Sequence, residues 1–71
     1  MDWEESGTPN QWIAFNPKDT RRLFIRMRLA CTDGNWSCRL RGTDSPWTDI
    51  TADSLEEAKA VAETLYRMGA L

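Results

Sequence analysis

Residues 23–31 and 36–42 are the stretch that most restricts how this chain can fold. In both segments large apolar residues alternate with polar ones at a period of two, which is the pattern of a β-strand with one buried face. The dipeptide Asp33-Gly34 lies between them. It favours a two-residue type I′ turn, because both central positions of that turn need a positive φ. The sequence therefore predicts an antiparallel hairpin.

The predicted turn also sets a register for this hairpin. With Asp33 and Gly34 at the tip, the expected pairs are Thr32 with Asn35, Cys31 with Trp36, Leu29 with Cys38, Met27 with Leu40, Arg28 with Arg39 and Arg26 with Arg41. One face is then apolar, and the other, which we call the arginine face, carries the four arginines. A slip by one residue would exchange the two faces. Directly opposed arginines cost roughly 0.2–1 kcal/mol per pair, so we expect acids of this chain or an anionic partner to offset their charge.

The remaining segments predict a small α+β fold. Residues 11–15 predict a first strand, and residues 47–50 suit a short further strand whose presence the pattern leaves open. Asp53 and Glu56 indicate a capped helix start, and Gly69 suits the left-handed residue that follows a helix. Six apolar residues recur between them at helical spacing: Leu55, Ala58, Val61, Ala62, Leu65 and Met68. We predict a three- or four-stranded antiparallel sheet with one C-terminal α-helix packed on one face.

Residues 1–10 differ from the rest of the chain in composition. They contain Gly, Pro and Ser, three acids and a single tryptophan. Chain ends of this kind usually fray, so we expect a flexible N-terminal arm whose acids can reach the arginine face. Residues 11–71 then form a single β-β-β-(β)-α domain.

The facing of the two outer strands depends on loop lengths. If Ile13 points into the core, Trp12 lies on the arginine face, and a change of one residue in the following turn reverses this. If Ile50 points into the core, alternation turns Trp47 and Asp49 toward the arginines. Asp49 could then pair with an arginine, and Trp47 could stack on a guanidinium.

The formal net charge of −2 hides a dipolar distribution. Residues 21–41 contain six arginines and only Asp33 as an acid, whereas the rest of the chain has three basic and ten acidic residues. A partner would therefore read one side of the molecule. Four tryptophans in 71 residues indicate that this short chain relies on large aromatic side chains for its core.

The sequence also predicts a location and a redox state. No stretch approaches the ~20 apolar residues of a membrane span, and the acidic start is unlike a signal peptide. We expect a cytoplasmic protein that does not contact membranes. Cys31 and Cys38 should share the inward face as reduced thiols, because diagonal positions lie beyond ordinary disulfide reach.

Several kinds of catalytic chemistry lack their usual residues. The chain has no histidine, which is the common ligand and general base of metal sites and catalytic triads. Glu56 and Glu57 are adjacent and so diverge on a helix, and no glycine-rich phosphate loop occurs. We therefore expect neither an enzyme nor a bound cofactor or metal.

The arginine face is the one constellation that suits a function. Its candidate binding residues are Arg26, Arg28, Arg39, Arg41, Phe24 and Trp47. They fit a solvated face balanced by the chain's own acids, a contact for a protein with an acidic patch, or a nucleic-acid surface that stacks bases. The overall acidity counts against nucleic acid. Self-association through an exposed edge strand is a further alternative.

The segment Asp53-Ser-Leu-Glu-Glu-Ala-Lys-Ala-Val-Ala-Glu63, after a hairpin strand Gly-Asn-Trp-Ser-Cys-Arg-Leu-Arg, completes a pattern spanning roughly residues 34–66. This pattern resembles very short phage and prophage proteins in which an antiparallel hairpin sheet precedes such a helix. The resemblance implies that fold and a mobile-element accessory protein, including anti-CRISPR-like inhibitors that bind host proteins. It implies no catalytic residues.

Overall fold

A computed structural model describes residues 1–28, 35–41 and 46–71. Within these ranges the chain forms one antiparallel sheet, followed by one helix. The elements are β1 (Asp2–Glu5), β2 (Gln11–Asn16), β3 (Asp19–Met27), β4 (Asn35–Arg41), β5 (Thr48–Thr51) and α1 (Leu55–Arg67). The strands lie side by side in chain order, so β1 and β5 are the edges. No helix in the described ranges is long and apolar enough to cross a membrane.

The α+β class and the C-terminal helix are confirmed, but the predicted number of strands is wrong. The sheet has five strands rather than three or four. The additional strand is β1, which lies within the segment 1–10 for which the sequence predicts an arm, and it pairs along β2. Trp3 of β1 packs against the core, which explains why so polar a segment joins the sheet.

The predicted register of the hairpin is wrong by four residues. Met27 pairs with Trp36 rather than Leu40, Arg26 pairs with Ser37, and Arg39 lies opposite Phe24. Beyond Met27 the ladder continues with a hydrogen bond from the Arg28 N–H to the Asn35 carbonyl, 3.2 Å long. The predicted Asp33-Gly34 turn, and the partners expected for Leu29, Cys31 and Thr32, lie outside the described residues.

The shift of register leaves the two faces unchanged. Because side chains alternate with a period of two, a shift of four residues keeps each side chain on its predicted side. It also separates the arginines that were expected to face one another, so that Arg22 and Arg41 are the directly opposed arginine pair of this hairpin. The observed register thereby avoids much of the repulsion between like charges.

The apolar face of the sheet is covered by α1. Leu23, Ile25 and Cys38 are fully buried beneath the helix. On the helix, Ala58 and Ala62 are also fully buried; their small side chains let the helix backbone lie close to the sheet. The predicted packing of the helix on the hairpin is therefore confirmed. The Cys38 thiol is free, and burial raises its pKa to about 11.

The structure decides the facing of β2. Trp12 and Ala14 lie opposite Ile25 and Leu23 on the core side, and the rings of Trp12 and Trp36 are 5.7 Å apart. Ile13 accordingly points to the other side of the sheet. Of the two alternatives left open by the sequence, it is the outward Ile13 that occurs.

The helix caps lie close to their predicted positions. Ser54, not Asp53, is the N-cap, and its side chain accepts a hydrogen bond of 3.1 Å from the Glu57 N–H. Glu57, not Glu56, reaches back to the Asp53 N–H, also at 3.1 Å. The reciprocal cap is thus present one residue later than predicted. Gly69 follows the helix with φ of 70°, which confirms its predicted role.

One residue at the end of the helix departs from the predicted apolar stripe. Met68 is 72% exposed, whereas the periodicity places it against the core. It is the C-cap of α1, so it lies beyond the last full turn that the sheet covers.

Candidate interaction face

The arginine face is the side of the sheet opposite α1. All six predicted site residues lie on it, five through β3, its continuation and β4, and Trp47 from just before β5: Arg26, Arg28, Arg39, Arg41, Phe24 and Trp47. The structure adds Arg22 and Phe15, which sequence reasoning missed. Arg22 has the same parity as Arg26 along one strand and could have been found by that signal. Phe15 could not, because the facing of its strand was open.

Trp47 holds two of these arginines. The guanidinium carbon of Arg26 lies 4.1 Å from the Trp47 ring centroid, and that of Arg39 lies 5.9 Å from the same centroid. An aromatic ring attracts a cation over its face by roughly 0.5–2 kcal/mol. The predicted stacking of Trp47 on a guanidinium is confirmed, and the ring bridges side chains from two neighbouring strands.

Two phenylalanines hold two further arginines. Arg22 lies 4.9 Å from the ring centroid of Phe15, and Arg41 lies 5.5 Å from that of Phe24. Phe24 is only 8% exposed although α1 covers the opposite side of the sheet. Its neighbours on the arginine face therefore shield the ring from water, so the rings and guanidinium groups form one packed layer.

One arginine of this face has a carboxylate partner. Arg28 lies 3.1 Å from Asp49, and the Ser37 hydroxyl donates to the same carboxylate at 3.0 Å. The predicted pairing of Asp49 is thereby confirmed. Its side chain is 70% exposed, so the ion pair is screened by water and contributes at most about 1 kcal/mol.

Within the described ranges, the other four arginines of this face are not paired with an acid of the chain. No carboxylate in the described ranges lies within 4.0 Å of Arg22, Arg26, Arg39 or Arg41. Asp2 and Glu4 share this side of the sheet, but they lie opposite Phe15 and Ile13, one strand away from β3. Among the described residues, an acid therefore neutralises Arg28 but none of the other four arginines of the face.

The four arginines are suited to binding anions. A guanidinium that lies against a ring keeps N–H donors at its edge, and its planar fork matches a carboxylate or a phosphate in a bidentate contact. The Nε atom of Arg39 is buried and has no hydrogen-bond partner among the described residues. A ligand that supplied an acceptor there would satisfy an unpaired donor.

A sixth arginine, Arg21, lies off the arginine face and is neutralised by an acid of the chain. Arg21 lies on the helix side of the sheet and forms a two-pronged ion pair with Asp19, the shortest distance being 2.8 Å. The Tyr66 hydroxyl donates to the same carboxylate at 2.5 Å. Arg21 first, and then Tyr66, hold the pKa of Asp19 well below its usual range. This cluster joins α1 to the β2–β3 turn, and its charges are already satisfied within the chain.

Other kinds of site find little support within the described residues. No group of three or more His, Cys, Asp or Glu side chains lies together there as metal ligands. No family model, curated protein or solved structure matches this chain.

Proposed function

We propose that this chain is a non-enzymatic protein-binding module whose arginine face contacts an acidic patch of its partner. The proposal rests on the surroundings of Arg22, Arg26, Arg39 and Arg41. Each lies against an aromatic ring at 4.1–5.9 Å, and none is paired with an acid of the described chain. Such a surface is charged and ordered, yet electrostatically incomplete.

The aromatic rings restrict the conformations of these arginine side chains, and this favours tight binding. A free arginine loses about 2 kcal/mol of rotamer entropy when it is fully fixed, and part of that cost is met here before binding. Arginine and tryptophan are also the residue types that dominate the energetics of protein interfaces. An acidic protein surface would supply the carboxylates that Arg26, Arg39 and Arg41 lack.

The same rings argue against a single-stranded nucleic acid as the ligand. Base recognition on a sheet needs open aromatic faces, but Trp47 is engaged by two guanidinium groups and Phe24 is buried. Asp2, Glu4 and the net charge of −2 would moreover repel a phosphate backbone. These features favour a protein partner over the nucleic-acid alternative.

The resemblance to short phage proteins extends this proposal. If the chain is an accessory or inhibitor protein of a mobile element, its partner is a host protein, and binding covers an acidic surface that the host protein itself uses.

The test compares two charge-reversal variants. The double substitution Arg26→Glu with Arg41→Glu inverts two exposed positions of the arginine face. The matched control, Lys18→Glu with Arg67→Glu, makes the same change in net charge at exposed positions elsewhere. Proteins are captured on the tagged wild-type chain from a lysate of its own organism, and the affinity of each recovered protein is then measured with purified components.

We expect the first variant to weaken binding at least about a hundredfold, or roughly 2.8 kcal/mol, while the control binds like wild type. Thermal unfolding of both variants verifies that they are folded. Equal affinity of the two variants would overturn the proposal. A titration with single- and double-stranded oligonucleotides at low salt separates the alternative, since strong binding there would favour nucleic acid.

A further inference from the structure

A groove opens at one end of the arginine face. It has a volume of about 400 Å³ and lies between the β1–β2 turn and the end of β3, where residues 8–11 and 26–28 line it. Arg26 and Arg28 border it on the strand side. This end of the arginine face is concave because the turn rises beside the strand.

The turn that forms one wall of this groove is tied down by hydrogen bonds. The carbonyl of Asn10 accepts from the Met27 N–H at 2.9 Å, and that of Gln11 accepts from the Ser6 N–H at 3.2 Å. The Thr8 N–H donates to the Ser6 hydroxyl, also at 3.2 Å. Asn10 adopts φ of 59°, a left-handed conformation that asparagine tolerates better than most residues. The wall is thus a built part of the fold.

Gln11 and Arg26 supply hydrogen-bond donors to the groove. Gln11 and Arg26 are direct cross-strand partners and project on the same side of the sheet. Trp47 supports the guanidinium of Arg26 from one side. Among the residues that the structure describes, those lining the groove include no acid. A carboxylate placed between Gln11 and Arg26 would receive an amide donor and a guanidinium fork.

The groove also has an apolar part. Pro9 lines it, on the wall formed by the β1–β2 turn. A bare inorganic anion would leave this ring in water. A peptide segment with an apolar residue beside its acidic residue would cover it and gain the free energy of apolar burial.

We propose that this groove receives an acidic side chain of the partner protein, with the neighbouring apolar residue of that partner packed on Pro9. The inference rests on the proposed function, and it adds the place and the sequence chemistry of recognition. Arg26 and Gln11 are the specificity-determining residues of the contact. The remaining arginines of the face contribute attraction over a longer range.

The experiment is a nuclear magnetic resonance titration of the isotope-labelled full chain. The probes are a short peptide of alternating glutamate and leucine, its glutamine-and-leucine counterpart, and inorganic phosphate. We expect the acidic peptide to shift the side-chain N–H signals of Gln11 and Arg26 and the backbone signal of Met27. The glutamine peptide should leave these signals in place, and phosphate should move them only at much higher concentration.

Two charge-neutralising variants provide the control. Arg26→Gln lies in the groove, whereas Arg22→Gln makes the same change of charge at the far end of the arginine face. Arg26→Gln should weaken peptide binding about tenfold, which is 1.4 kcal/mol. Arg22→Gln should weaken it less than about twofold, because its contribution is screened at that separation. Equal losses of peptide affinity in the two variants would show that the groove is not the binding site. Equal affinity for phosphate and for the acidic peptide would show that the ligand is not a protein segment.

The same variants separate this inference from the proposed function. If the captured partner binds Arg26→Gln as tightly as wild type but fails to bind the Arg26→Glu, Arg41→Glu double variant, the groove assignment is wrong and the arginine face still binds. If neither variant loses affinity for the partner, the proposed function itself is wrong.

Discussion

The guanidinium of Arg26 on β3 and the indole of Trp47 just before β5 are in contact, with the guanidinium carbon 4.1 Å from the ring centroid. The strand between them, β4, contributes Arg39 to the same ring at 5.9 Å. One aromatic side chain therefore orders two cations that no acid of the described residues neutralises. An interface prepared in this way loses less entropy on binding than a surface of mobile arginines.

The substitution Trp47→Leu tests whether the ring orders the arginines. It removes both cation–π contacts without changing the charge, so we expect the free energy of unfolding to fall by about 1 kcal/mol. Binding of an acidic partner should weaken as well, because Arg26 and Arg39 lose their support. Urea denaturation and a binding titration measure the two effects. A loss of stability with unchanged affinity would mean that the ring is only a packing element.

The substitution Asp49→Asn tests the charge balance of the face. It removes the ion pair with Arg28 but keeps an oxygen that can accept from Ser37. Because Asp49 is well exposed, we expect stability to change by less than about 1 kcal/mol. Acidic ligands should bind a few-fold more tightly, since one repelling carboxylate is gone. Weaker binding would indicate that Asp49 positions Arg28 for the ligand.

The pH dependence of stability should reveal the Asp19 cluster. Its ion pair with Arg21 and the hydrogen bond from Tyr66 lower the pKa of Asp19 in the folded state. Such a carboxyl stabilises the fold above its unfolded pKa of about 3.9, and this contribution fades as the pH falls toward the folded pKa. Asp19→Asn should therefore lower Tm at pH 7, and its difference from wild type should narrow below about pH 4.

Tyr66→Phe is the matched variant for this cluster. It removes one donor to Asp19 and leaves the pair with Arg21. We expect a smaller loss of stability at pH 7, and the double variant should lose less than the sum of the two single losses. A difference in Tm that stayed constant from pH 7 to pH 2 would contradict the assignment.

The end of the helix offers a test of local backbone strain. Gly69 has φ of 70°, and its N–H donates to the Tyr66 carbonyl at 3.1 Å. Gly69→Ala should lower the free energy of unfolding by about 1 kcal/mol. Nothing lies within 4 Å of the added methyl group, so the cost is conformational. Gly69→Asn should cost less, and equal losses on thermal unfolding would point to a steric cause.

The faces of the sheet could be predicted from the sequence, but the register could not. The burial pattern separates Ile25 from Arg26, and it restricts any slip of the strands to an even number of residues. Met27 can therefore oppose Leu40 or Trp36 with the same side inward. Only the Asp33-Gly34 turn signal chose between these registers, and the structure places the pairing four residues away from that choice.

Residues whose position depends only on the side of the sheet could be predicted, whereas those that depend on strand pairing or tertiary packing could not. Trp47 and Asp49 were placed correctly because an inward Ile50 determines their side of the sheet by parity alone. Residues 2–5 were missed as a strand because they are mostly acidic, and their pairing depends on the exposed edge of β2. Phe15 was missed because only tertiary packing decides the facing of its strand.

The most direct test of the arginine face is the nitrogen–proton spectrum of the arginine side chains, recorded as an acidic partner or peptide is added. Arg21 and Arg67 lie off the face and serve as internal controls. The five signals expected to move belong to Arg22, Arg26, Arg28, Arg39 and Arg41. Changes confined to these five, and largest for Arg26, are the predicted result. Equal changes at Arg21 or Arg67, or none at Arg26, would contradict the account.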